Sequence, residues 1–255
     1  MDDVRIDEAL VRSLLREQHP DLAGLELREV PGGWDNKMWR LGEELAVRMP
    51  RTPRAPSLLR SEQQWIPALA SDLPLPIPVP VRVGEPSARF PNTWTVASWV
   101  AGEPADRAPI SCPDAADSLA HFLRALHRKA PGDAPANSSR GVSLTVLRDD
   151  LDGSIPYGSS DFAVDARRVW DQALAAPVWD GAPVWLHGDL HPANVVVSEG
   201  MLSGVIDFGE MCAGDPPRIS QLPGCCCRRA VHHDSSPHMG RSTARRSGDP
   251  KDGLC

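Results

Sequence analysis

At 255 residues, 41% of them hydrophobic, the chain is long enough for one large domain or two lobes around a shared core, and apolar enough to fold. A net charge of −7 argues against a nucleic-acid partner, which would face a basic stripe. No run approaches the roughly eighteen uninterrupted apolar residues of a membrane span, and the acidic opening Met1-Asp2-Asp3 is unlike a basic signal-peptide start; the expectation is a cytoplasmic protein with no nucleic acid and no membrane as partner. Cys112, Cys212, Cys225, Cys226, Cys227 and Cys255 contain no CxxC pair. Even with His232, His233 and His238 nearby they form neither a disulfide framework nor a zinc spacing.

Ile6, Leu10, Val11, Leu14 and Leu15 recur at helical spacing and predict an amphipathic helix from Ile6 to Gln18, with Asp7 near its start. Strand-like runs follow at Leu25 to Val30, Lys37 to Leu41 and Leu45 to Met49, broken by Pro31-Gly32-Gly33 and Gly42-Glu43-Glu44, which reads as an antiparallel meander. Ser57 to Ala70 predicts a helix that Pro67 must kink or restart. Pro74, Pro76, Pro78 and Pro80 alternate with aliphatics in an extended connector. Strands around Pro80 to Val83 and Thr93 to Val100 complete a five-stranded sheet, and Gly102, Pro104 and Pro109 mark a boundary. The chain therefore divides into a small lobe over residues 1–100 and a second lobe over 101–216. In the second, Ser111 heads a helix with Asp114 in a capping-box-like pairing and Leu119, Phe122, Leu123 and Leu126 as buried face. Pro131 to Gly141 reads as loop, and Asp161 to Ala176 as a further helix.

From Val184 the chain runs VWLHGDLHPANVVVSEGMLSGVIDFGE: a strand, a polar loop from His187 to Asn194, a strand, a turn at Ser198-Glu199-Gly200, and a strand ending in Asp207. Asp189 lies five residues before Asn194, and Asp207 thirteen after it, so two carboxylates and an amide can converge at one end of a hairpin. Phosphoryl transfer needs that set: a carboxylate to take the proton of an attacking hydroxyl, and a carboxylate with an amide oxygen to hold magnesium. Solvated Asp and Asn at ordinary turns are the bland alternative, which does not explain the spacing.

HGDxxxxN followed by an IDFG aspartate resembles the catalytic loop and metal-binding aspartate of the kinase-like superfamily, in the form of the aminoglycoside phosphotransferase family. The resemblance implies a bilobal α+β fold, protein-kinase-like, with a five-stranded antiparallel N-lobe sheet and a mainly helical C-lobe. It makes Asp189 the catalytic base, His187 the residue bracing its loop, and Asn194 and Asp207 the magnesium ligands. Gly188 stands where a protein kinase places arginine, pointing to a small-molecule kinase. GGWDN at Gly32 to Asn36, LAVRMPR at Leu45 to Arg51, the helix with Glu62, and NTWTVASWVAGE at Asn92 to Glu103 follow the family order. Where the family has a phosphate-gripping lysine this chain has Arg48, with Glu62 as expected partner; arginine keeps the charge but is not interchangeable with lysine. A mere surface ion pair is the alternative. Ser98 and Val100, at the lobe junction, are placed to bind the base of ATP or GTP.

The acceptor implied is a small hydroxylated, cationic molecule of aminoglycoside type. Residues 1–216 alone carry net −11, which suits a polycation. Alternatives are a kinase for a macrolide, choline or sugar, or an inactive nucleotide-binding remnant. The remnant reading comes from residues 217–255, which have no aromatic residue, few aliphatics, and seven basic against three acidic residues. Such a stretch is expected to be disordered and leaves the C-lobe incomplete. Back-translated with one choice of codons and read two bases on, Pro217 to Ala230 yields Ala-Asp-Leu-Ala-Ala-Ala-Trp-Leu-Leu-Leu, resembling the family's next helix, so a frameshift is one expected origin.

Overall fold

The computed structural model describes residues 4–148 and 161–216. The expected disordered or out-of-frame tail lies outside the described residues. The chain opens with α1 (Glu8–Gln18). Its first turn is capped by Asp7, whose carboxylate accepts the Leu10 N–H at 3.0 Å and so satisfies one of the orphan donors of a helix start.

Five strands follow: β1 (Leu27–Val30), β2 (Asn36–Leu41), β3 (Leu45–Pro50), β4 (Pro80–Gly84) and β5 (Trp94–Ser98). They form an antiparallel sheet in the order β1-β2-β3-β5-β4. The register of β2 on β3 places Met38 opposite Arg48 and Asn36 opposite Pro50. Alternate residues of these strands meet Val11, Leu14 and Leu15 of α1 in one core containing Trp39, Leu41, Val47, Met49, Phe90, Trp94 and Val96. Period-two alternation on the sheet and the helical stripe on α1 thus bury the same apolar set.

The helix α2 (Ala55–Ala70) runs unbroken through Pro67, where a kink or restart was expected. One lost N–H and the ring clash cost about 3 kcal/mol, but the buried stripe Leu59, Glu62, Ile66 and Leu69 continues on both sides of the proline and holds the helix together. Its C-terminal end is buried in a second core, with Ile66 and Leu69 packed among Ile77, Leu119, Phe122, Leu126, Trp185, Val195, Val205 and Phe208.

In the second half, α3 (Ala115–Leu126) begins three residues later than a Ser111 cap implies. Ser111 does not cap it: the N–H groups of Ser111 and Cys112 both donate to the carbonyl of Gly200, at 3.1 and 3.0 Å, so this backbone is docked on a distant turn. Asp114 occupies the N-cap position without a side-chain bond. The helix α4 spans Asp161–Ala175. Short strands complete the lobe. β6 (Glu103–Pro104), β8 (Val195–Ser198) and β9 (Met201–Val205) form one sheet, and β7 (Val184–Leu186) pairs with β10 (Cys212–Gly214). No helix among the described residues is long and apolar enough to cross a membrane.

Candidate active site

β7 delivers the polar loop. His187, directly after it, is fully buried. Its Nδ1 accepts the Asp189 N–H at 3.2 Å, so its Nε2 carries the proton and donates to the Ile206 carbonyl at 2.9 Å. Burial pushes its pKa down, with the Ile206 bond and the charges of Asp207 and Asp189 working the other way, which fits this neutral tautomer. The ring also lies against Phe208, with centroids 4.6 Å apart. One imidazole thereby braces both the Asp189 loop and the segment that ends in Asp207.

Gly188 has φ +82°, and a Cβ there would lie 2.0 Å from the Glu210 carbonyl oxygen. Neither arginine nor any other side chain fits. Asn194 is buried at the end of a 3₁₀ turn, Pro192–Asn194. Its Nδ2 donates to the Asp189 carbonyl at 2.8 Å, which leaves the amide oxygen for a cation. Its own carbonyl accepts the Ile206 N–H at 2.9 Å, a second tie between the two loops.

Asp207 adopts φ +65°, an uncommon conformation for a non-glycine residue that persists only where its surroundings impose it. Its side chain is 58% exposed and one oxygen stands 3.9 Å from Arg48 Nη2. Arg48, on β3, also donates to Glu62 of α2, and both residues are buried. This is a buried ion pair, not the surface pair weighed as an alternative. Burial works against the Arg48 charge, but Glu62 and Asp207 outweigh it and hold the guanidinium protonated. Burial pushes the Glu62 carboxyl up, and the Arg48 charge pulls it back. Gly209 sits alongside, where a Cβ would be 3.6 Å from Glu62 Oε1.

The turn between β1 and β2 is held from one side by arginines. Arg51 donates to the carbonyls of Gly33 (2.6 Å) and Trp34 (3.0 Å). Arg54 grips Asp35 through Nε at 3.0 Å and Nη2 at 2.6 Å, and Thr52 Oγ1 adds a bond at 2.6 Å. Burial opposes the Asp35 charge, but the Arg54 and Thr52 bonds prevail and hold its pKa below the usual carboxylate range. Trp34, at the tip, is 81% exposed.

Ser98 and Val100 lie at the end of β5. Ser98 offers no donor: its N–H goes to the Val79 carbonyl at 2.9 Å, and its hydroxyl donates to Ile77 and accepts from the Val79 N–H. Trp99 N–H is likewise taken, by Glu44. Val100 is buried, and its N–H has no partner among the described residues.

The structure thus gathers Arg48, Glu62 and Asp207 in one cluster and His187, Asp189 and Asn194 in another, joined through Ile206. Sequence reasoning passed over Arg140 and His191, whose side-chain nitrogens lie 3.5 and 3.6 Å from the two Asp189 oxygens, and Glu210, which binds Arg54 and Asn137. His191 sits inside the recognised loop and could have been marked by its position. Arg140 and Glu210 carry no signal, because their partners are 49 or more residues away.

Residues 26–217 match the model of a family described as the phosphotransferase enzyme family, APH. An aminoglycoside 3'-phosphotransferase of Escherichia coli is 27% identical over 133 residues, 49% of each chain, so the chain spans about half the length of the curated relatives it matches. Among solved structures, the GDP and kanamycin complex of APH(2")-IIIa superposes with a TM-score of 0.65 at 22% identity, covering 87% of this chain and 80% of that one. The macrolide 2'-phosphotransferase MphH of Brachybacterium faecium gives 0.58 at 20% identity, covering 91% and 82%. These likenesses are of fold, the kinase-like arrangement of a five-stranded sheet over a second lobe, while the family match runs through both clusters, and on that match the chain belongs to the phosphotransferase enzyme family.

Proposed function

We propose that this chain transfers the γ-phosphate of ATP or GTP to a hydroxyl of a small cationic acceptor of aminoglycoside type, in the cytoplasm and with magnesium. One observation carries the reading: His187 binds both the Asp189 backbone and the Ile206 carbonyl, so a candidate base and the candidate metal-binding aspartate that follows Ile206 are fixed to one support. Asp189 takes the proton of the acceptor hydroxyl as its oxygen bonds to the γ-phosphorus. The bond from that phosphorus to the bridging oxygen breaks, and the nucleoside diphosphate leaves. Arg48, oriented by Glu62, presents its fork to the phosphates, and the free Val100 N–H binds the edge of the base.

The donor set fits magnesium, which favours hard oxygens, takes one or two protein ligands and leaves other positions to water and phosphate. Asn194 Oδ1 and an Asp207 carboxylate oxygen would hold the ion, and when bound it neutralises phosphate charge. The domain reading is a nucleotide-binding lobe over residues 1–100 and a catalytic lobe over 101–216. The family match and the neighbours that bind aminoglycosides support the acceptor class, and the acidic charge is in keeping with it.

The test is binding of ATP and GTP with and without magnesium, beside phosphate transfer to kanamycin, gentamicin and a macrolide. Asp189→Asn is expected to lower turnover about 10²- to 10⁴-fold with nucleotide affinity unchanged. Absence of nucleotide binding by the unaltered chain, or full turnover by Asp189→Asn, would overturn the reading.

A further inference from the structure

Glu210 divides its carboxylate between two distant parts of the chain. Oε1 accepts from Arg54 Nη1, and Oε2 accepts from Asn137 Nδ2 at 2.7 Å. Arg54 is the residue that grips Asp35 and so holds the β1–β2 turn. Asn137, on the other side, accepts the N–H groups of Ser139 at 2.9 Å and Arg140 at 3.1 Å through Oδ1. This Asx-type turn leads the chain to where Arg140 Nη2 stands 3.5 Å from Asp189 Oδ1.

The loop bearing Arg140 is pressed against β10. Gly141 accepts the Asp215 N–H at 3.0 Å, Cys212 Sγ donates to the Arg140 carbonyl at 3.7 Å, and a Cβ on Gly214 would lie 2.4 Å from the Gly141 carbonyl oxygen. Exposed ion pairs contribute little. Here the Asp35 and Glu210 side chains are only 13% and 18% exposed, and Arg54 meets Asp35 with two parallel bonds, the strong geometry for arginine.

Resting on the phosphotransferase reading above, we propose that Glu210 is a positioning residue that ties the β1–β2 turn, gripped by Arg54, to the loop setting Arg140 on Asp189. Arg140 then orients the candidate base, and its orientation depends on both halves being joined through Glu210. A misplacement of about 1 Å at a reacting group costs on the order of 10²-fold in rate, so such a tie bears on turnover more than on binding.

The experiment uses the full chain, Mg·ATP, and kanamycin as probe acceptor, with phosphate transfer followed by ADP formation. Glu210→Gln, Asn137→Ala and Arg140→Gln are each expected to lower kcat about 10- to 100-fold, with KM for ATP moving less than about threefold. Arg140→Lys should recover part of the loss, which a purely structural role would not show. The double variant Glu210→Gln/Arg140→Gln should be no slower than the slower single, since residues acting through one path are not additive. Arg140 is 45% exposed, so its variants keep the fold. An active parent whose double variant loses the product of the two single losses, or whose loss falls on KM, overturns this inference and leaves the phosphotransferase reading standing. An unaltered chain that neither binds ATP nor forms ADP removes both.

Discussion

Gly188 and Glu210 are in backbone contact so close that a methyl group on the first would overlap the carbonyl oxygen of the second, at 2.0 Å. The glycine has φ +82°, so a side chain is excluded twice, by conformation and by space. Gly188→Ala is expected to destabilise the protein by at least about 2 kcal/mol, seen as a lowered denaturation midpoint in urea. An alanine variant as stable as its parent would show that the loop can move away from Glu210.

The Arg48–Glu62 pair makes a sharper prediction because both groups are buried. Removing one partner leaves an uncompensated charge, which costs about 3–5 kcal/mol, so Glu62→Ala should unfold at much lower denaturant. Arg48→Lys keeps the charge and should lose less than half as much. If equilibrium unfolding finds Glu62→Ala within about 0.5 kcal/mol of the parent, the pair does not carry stability.

Acid should loosen the fold in a defined window. Burial lowers the pKa values of His127 and His187 from an ordinary 6.5, so both stay neutral when folded while the unfolded chain takes up protons. Their contribution is complete above about pH 6.5 and declines as pH falls toward the lower folded values. The denaturation midpoint should therefore fall between about pH 7.5 and 5.5. His127 Nε2 is buried without a hydrogen-bond partner, so His127→Phe should flatten this slope without breaking a bond. An unchanged slope would remove His127 from the account.

Asp7→Ala tests the first helix. Loss of the carboxylate that accepts the Leu10 N–H should cost about 1 kcal/mol, and Asp7→Asn should restore most of it. Amide exchange at Leu10 reports the same bond directly.

The elements that could be read in the sequence are those with internal periodicity. The five strands of the large sheet were legible because Gly32-Gly33, Gly42 and prolines punctuate them, and α1 because Val11, Leu14 and Leu15 share a face. The Asp189, Asn194 and Asp207 spacing was legible because it lies within nineteen residues. What escaped depends on remote partners. β6, two residues long, exists only by pairing with β8, and β10, three residues long, only by pairing with β7; neither is long enough to show alternation. Ser111 resembled a cap until the Gly200 carbonyl claimed its N–H. Ser98 was marked by its place in the family order, and only the Val79 contacts reveal that its donors are already taken.

The two grips of α2 differ in kind. Toward the sheet it holds on by Arg48–Glu62 and by Gln63, whose amide reaches Thr95 Oγ1 at 2.7 Å and Thr93 Oγ1 at 3.2 Å. Toward the second lobe it is seated by Ile66 and Leu69. Directional bonds fail over a few tenths of an ångström, whereas greasy contacts tolerate sliding. Because α2 also packs along β3, β4 and β5, any breathing should open the seam between α2 and the second lobe, with α2 travelling with the sheet; deuterium uptake rising in α3 ahead of β3 would mark that parting.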